Sequence, residues 1–100
     1  MDQNPMPSLK LIDRTLYLNG NAEPIDLSPM EARLMATLLR YPNQTVSRAT
    51  IMHEVWQTDY LEDTRTLDVH IRWLRRKVES NPSRPRRIIT VRGVGYRLHI

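Results

Sequence analysis

The residues with the clearest chemical character lie between Arg65 and Lys77. Leu67, Ile71, Leu74 and Val78 recur there at i, i+4, i+7 and i+11, a single stripe at helical period. With that stripe turned inward, the opposite face carries Arg65, Val69, Arg72 and Arg76. Trp73 and Thr66 fall on one shoulder, and His70 and Lys77 lie nearer the core edge. Arginine forks hold phosphate or the guanine edge in a DNA major groove, and a valine can meet a thymine methyl group. Water alone does not require Val69 or Trp73 to point outward. Asp68 and Glu79 are the only acids on this helix, too few for the interspersed charges of an ordinary salt-bridged exterior.

A second basic feature follows at Arg92-Gly93-Val94-Gly95. The glycines allow a sharp turn and a close approach to another surface. Arg92, just before that tip, is a long cation suited to a narrow groove of high negative potential. This Gly-Val-Gly opens no helix, so it is not a dinucleotide-binding loop.

Other chemistries are poorly supplied. His53, His70 and His99 fall on different elements without a carboxylate pattern, and the acids Asp59, Glu62 and Asp63 read as a solvated or protein-contacting loop. The chain has no cysteine, which removes thiol catalysis, cysteine-ligated zinc and disulfide scaffolds. No nucleophile elbow, phosphate loop or carboxylate pair is present. The expectation is a protein that is not an enzyme and uses no metal or cofactor.

The elements that must position these residues follow from local signals. At 100 residues the chain is one domain. Met1-Asp2-Gln3-Asn4-Pro5-Met6-Pro7 has neither apolar periodicity nor the features of a signal peptide, and reads as a linker remnant ahead of a domain over residues 8–100. Leu9–Ile12, Thr15–Leu18 and Ala22–Ile25 are short strand-like pieces separated by Asp13-Arg14 and Asn19-Gly20-Asn21. Ser28-Pro29-Met30-Glu31 combines a capping box with proline at the first helical position, and the helix it opens stops at Tyr41-Pro42. A second helix starts at Ser47 and runs through Trp56, and residues 57–63 form a polar loop. The third helix spans 65–79, and the segment from Ile88 to Ile100 is a β-hairpin. No apolar run is long enough to span a bilayer, and a cytoplasmic protein without a membrane partner is expected.

Charge is distributed to match. Residues 1–64 hold 5 basic and 9 acidic side chains, whereas residues 65–100 hold 10 basic and 2 acidic. Such a split presents one positive surface to a polyanion.

Three helices followed by a hairpin, with the third helix and the hairpin both basic, make an α+β layout of winged helix-turn-helix type. Trp56, the run from Glu62 to Lys77, the run Ile89–Leu98 and the entry Leu27-Ser28-Pro29-Met30-Glu31 closely resemble the effector domains of OmpR/PhoB-family bacterial response regulators. The resemblance extends from Leu9 to Leu98 and implies an N-terminal four-stranded antiparallel sheet, three helices and a C-terminal wing. It also implies an upstream receiver domain, absent here, that answers to a sensor kinase. Sequence-specific binding to double-stranded DNA would follow, as a tandem homodimer on direct-repeat promoter sites. Position by position it assigns DNA contact to Arg65, Thr66, Val69, His70, Arg72 and Arg75 in the major groove, and to Thr90, Arg92 and Tyr96 at the wing. Trp56 would touch backbone phosphate. The loop residues Gln57, Thr58, Asp59, Tyr60, Glu62 and Asp63 match a segment that contacts RNA polymerase in some members. Trp73 departs from the pattern, because several relatives carry a base-reading basic residue there.

Two classes of function remain open on the residues alone. One is a transcription regulator that reads sequence. The other is a non-specific module whose basic face meets RNA, acidic protein or membrane. Lys10 and Lys77 are the only lysines among fifteen basic residues, and this arginine bias favours bidentate recognition.

Overall fold

The computed structural model describes residues 9–18 and 23–100. The linker reading of residues 1–7, the Asn19-Gly20-Asn21 turn and Ala22 lie outside them. Nine elements follow in chain order: β1 (Leu9–Ile12), β2 (Thr15–Leu18), β3 (Ile25–Asp26), α1 (Pro29–Leu39), β4 (Thr45–Ser47), α2 (Arg48–Trp56), α3 (Arg65–Val78), β5 (Ile88–Val91) and β6 (Gly95–Leu98). They form two antiparallel sheets, β1-β2-β3 and β4-β6-β5, around the three helices.

This arrangement corrects the expected N-terminal sheet. Among the described residues it has three strands rather than four. The strand between α1 and α2, Thr45–Ser47, joins the C-terminal hairpin instead, with Val46 opposite Tyr96 and Ser47 opposite Gly95. The hairpin thereby becomes a three-stranded sheet with β6 in the middle.

The helix starts follow their capping signals. Ser28 Oγ accepts from the Glu31 amide at 3.1 Å, and Glu31 Oε1 accepts from the Ser28 amide at 2.8 Å. Ser47 Oγ accepts from the Thr50 amide at 3.1 Å. These bonds satisfy amides that have no partner inside the helix. α1 ends at Arg40 and α2 on Gln57, whose φ of 57° closes the helix in the left-handed region. Near this junction, Arg40 and Tyr41 both bind the Glu54 carboxylate, tying the end of α1 to α2. Thr64 offers α3 no side-chain cap, and Asp63 Oδ1 takes the Arg65 amide at 3.1 Å in its place.

Leu67, Ile71, Leu74 and Val78 all point inward, as their spacing requires. They pack with Leu34, Met35 and Leu38 of α1, Ile51 and Val55 of α2, Leu16 of β2, and Ile88 and Leu98 of the C-terminal sheet. That single core fixes the axis of α3 and leaves its far side to solvent. Among the described residues no helix is long and apolar enough to cross a membrane.

Candidate nucleic-acid interface

The outer face of α3 emerges as the helical geometry requires. Arg65, Arg72 and Arg76 are exposed, Val69 is 40% exposed and Trp73 is 44% exposed. Thr66 and His70 are half-buried on the shoulder. His70 Nδ1 donates to the Thr66 carbonyl at 2.7 Å, because a carbonyl oxygen can only accept. The imidazole lies between two indoles, with its centroid 5.2 Å from Trp56, edge-on, and 4.9 Å from Trp73, tilted.

The arginines divide into two groups. Among the described residues Arg72, Arg76 and Arg92 make no side-chain hydrogen bond or ion pair, so their forks are available to a ligand. Arg65 instead grips Asp63 twice, Nε to Oδ1 at 3.0 Å and a terminal nitrogen to Oδ2 at 2.8 Å. These bonds and the Arg65 amide hold the Asp63 carboxyl down to about 2. Arg75, which the helical wheel sets toward the flank, reaches across to the wing. Its guanidinium donates to the Ile88 carbonyl at 3.1 and 2.8 Å and to Thr90 Oγ1 at 2.8 Å, and lies 5.6 Å above the Tyr96 ring.

Tyr96 is only 6% exposed, and its hydroxyl donates to Asp68 Oδ1 at 2.7 Å. The other Asp68 oxygen accepts from Arg48 at 2.9 Å, and Arg48 also donates to Thr64 Oγ1 at 2.5 Å. One carboxylate therefore joins α2, α3 and β6. Burial alone would raise the Asp68 pKa, but the Arg48 and Tyr96 bonds outweigh it and hold it below its usual value. Burial, and then the Asp68 acceptor, push the Tyr96 phenol up.

The wing reaches past this clasp. Val94 NH returns to the Val91 carbonyl at 3.0 Å, Gly93 turns at φ 73°, and Arg92 stands exposed at the tip. A Cβ at Gly95 would overlap the Val46 carbonyl, so glycine is required where β4 meets β6. Between α3 and the loop that follows it lies a cleft of about 410 Å³, lined by Asp68, Arg72, Arg75, Arg76, Pro82, Ser83 and Tyr96. Thr90, on β5, is exposed.

The loop after α2 forms a separate surface. Gln57, Asp59, Tyr60, Leu61, Glu62 and Asp63 are exposed, with Tyr60 59% and Leu61 47% accessible, and Thr58 is half-buried. Asp59 pairs with His53 at 2.9 Å and the Tyr60 hydroxyl approaches Glu62 at 3.3 Å. Among the described residues no cluster of His, Asp and Glu could hold a metal ion.

Sequence reasoning missed the residues that hold the face in place. Arg48 and Asp68 form the clasp, and Lys77 crosses to Glu31 at 2.7 Å and to the Asp26 carbonyl at 3.0 Å. Glu79 is 8% exposed and binds the amides of Arg86 (2.8 Å), Arg87 (2.9 and 3.1 Å) and Ile88 (2.7 Å). A signal for Glu79 was available: a carboxylate at a helix C-terminus opposes the macrodipole, so its presence there asks for a tertiary partner.

Comparison with known proteins accords with this geometry. The family described as "Transcriptional regulatory protein, C terminal" matches residues 22–98. A probable transcriptional regulatory protein of Picosynechococcus sp. is 52% identical over 89 residues, covering 89% of this chain and 36% of that protein. The alkaline phosphatase synthesis transcriptional regulatory protein SphR of Synechococcus elongatus is 49% identical over 90 residues, covering 90% and 35%. The chain thus spans about a third of the length of these curated relatives. Among solved structures, the Klebsiella pneumoniae RstA DNA-binding domain in complex with the RstA box superposes with a TM-score of 0.81 at 28% identity, over 96% of this chain and 95% of that one.

Proposed function

The chain belongs to the family of C-terminal DNA-binding domains of OmpR/PhoB-type transcriptional response regulators, and from that premise we propose that it reads double-stranded DNA with α3 in the major groove and the tip at Arg92 in the adjacent minor groove. The observation that carries this reading is the pairing of two kinds of group on one face. Arg72 and Arg76 have free forks, and Val69 and Trp73 stand exposed between and beside them. Phosphate neutralisation alone needs only the cations, whereas direct base reading draws on hydrogen-bonding forks for purine edges and on apolar contact for the thymine methyl.

Roles divide by reach. Arg72, Arg76 and Arg65 engage phosphate or guanine, Val69 and Trp73 meet base edges, and Thr66, His70 and Trp56 flank the groove wall. Arg75, Thr90 and Tyr96 set the wing against α3, and Arg75 and Tyr96 line the cleft where a phosphate group would pass. Two copies bind in tandem on direct-repeat half-sites. Residues 8–100 serve as the effector unit of a cytoplasmic regulator, with residues 1–7 leading to a receiver domain governed by a sensor kinase. The exposed loop 57–63 offers Tyr60 and acids Asp59, Glu62 and Asp63 to RNA polymerase.

Selection of the domain against a random duplex pool at about 150 mM salt, where long-range attraction is screened, tests this. Two enriched half-sites in direct repeat, about one helical turn apart, are expected. Absence of enrichment, with binding that vanishes steeply as salt rises, refutes base reading and leaves a generic polyanion surface.

A further inference from the structure

We infer that Val69 and Trp73 form one fixed apolar ridge that reads the C5-methyl groups of pyrimidines at neighbouring base steps, so that Trp73 is a specificity-determining residue. The inference rests on the placement of α3 in the major groove proposed above. Positions four apart share a helix face with Cβ atoms about 6 Å apart, and the two side chains are 40% and 44% exposed. Arg65, Arg72 and Arg76 lie along one side of the ridge and Thr66 and His70 along the other. The ridge is therefore a strip without charge bordering a cationic row.

Trp73 is held in this position. Its ring rests 4.9 Å from the His70 ring, His70 is fixed by its 2.7 Å bond to the Thr66 carbonyl, and Trp56 closes the far side at 5.2 Å. An indole walled in this way presents its free side outward and offers a single donor. The major-groove edge of a base pair presents donors and acceptors, with the thymine methyl as its one projecting apolar group. A rigid apolar ridge with arginines along one side matches that methyl better than any other group on the base edges. Its length spans about two base steps of 3.4 Å.

The test uses the duplex enriched by selection, with each thymine replaced singly by deoxyuridine. This removes the methyl and keeps every hydrogen-bonding atom. Fluorescence anisotropy with the unaltered domain is expected to find two neighbouring positions where the change weakens binding about fourfold, the equivalent of one buried methyl at about 0.8 kcal/mol. Val69→Ala then abolishes the deoxyuridine effect at one of these positions and Trp73→Ala at the other. Both side chains are exposed, and circular dichroism verifies that each variant is folded. If every deoxyuridine duplex binds within the error of the parent, the methyl reading is overturned while sequence selection stands. If Trp73→Ala weakens all duplexes alike, the indole rests on the sugar-phosphate backbone and the inference fails. A pool with no enriched sequence overturns base reading and this inference together.

Discussion

Replacing Glu79 by alanine is expected to destabilise the domain by about 3 kcal/mol, and the number follows from what its carboxylate holds. Three backbone amides, those of Arg86, Arg87 and Ile88, donate to it at 2.7–3.1 Å. The Ile88 amide lies at a residue with no exposed surface, so without an acceptor it bears a desolvation penalty of about 1–3 kcal/mol. The amides of Arg86 and Arg87 lie nearer solvent and recover water, losing about 0.5–1.5 kcal/mol each. Against this, removing a negative charge from the C-terminal end of α3 returns about 0.3–1 kcal/mol. The losses outweigh that return. Glu79→Gln should cost somewhat less, about 2 kcal/mol, because it keeps one acceptor but turns an amide donor toward the same N–H groups. Urea denaturation followed by circular dichroism should show the midpoint falling by about 2 M for alanine, at a slope near 1–2 kcal/mol/M. Hydrogen exchange should show the Ile88 amide losing protection first. A glutamine variant as stable as the parent, or an alanine variant within about 0.5 kcal/mol of it, would refute the view that this carboxylate seats the loop into the wing.

Asp63→Asn should tighten DNA binding at low salt, since it frees the Arg65 fork from its bidentate partner. The slope of log affinity against log salt should steepen by about one unit, and an unchanged slope would mean that Arg65 does not reach phosphate. Stability should fall on both sides of a neutral plateau. The folded-state pKa of Asp68 is lowered, so its contribution is present above the ordinary aspartate range and is lost as pH drops through the folded value. That of Tyr96 is raised, so its contribution is present below about pH 10 and is lost as pH climbs through the folded value. Thermal midpoints measured against pH should show the acid limb flattened in Asp68→Asn and the alkaline limb flattened in Tyr96→Phe. Gly95→Ala should cost about 2–4 kcal/mol through overlap with the Val46 carbonyl. A variant with native stability would mean that the β4–β6 pairing can yield.

The helices were legible in the sequence because their determinants are local. Ser28-Pro29 with Glu31, Ser47 before Arg48, and the stripe from Leu67 to Val78 each specify a start or a face within a dozen residues. The outer face of α3 followed by simple rotation. β4 was not legible, because Thr45-Val46-Ser47 offers a single apolar residue and its partner strand begins at Gly95. Nor could the sequence separate the free arginines from the engaged ones. A helical wheel turns Arg72 outward and Arg75 toward the flank, but only the arrival of the Ile88 carbonyl and Thr90 beside Arg75 shows that its guanidinium is engaged. Likewise, the resemblance gives Tyr96 a DNA contact at the wing, and only the structure shows its hydroxyl held by Asp68, which Arg48 also binds.

The central place of β6 also bears on how the chain reaches this state. β6 is the last of the nine elements among the described residues, yet it lies between β4 and β5 and pairs Arg97 with Thr45. That pairing joins residues about fifty positions apart, the kind of distant closure that slows folding relative to helix formation. On a growing polypeptide, α1, α2 and α3 can pack while the slot destined for Ile88 and Leu98, both without exposed surface in the finished fold, still stands open. Any chain in which the wing sheet has not yet closed exposes an apolar seam beside the basic α3, and pairing of β6 with β4 and β5 covers it.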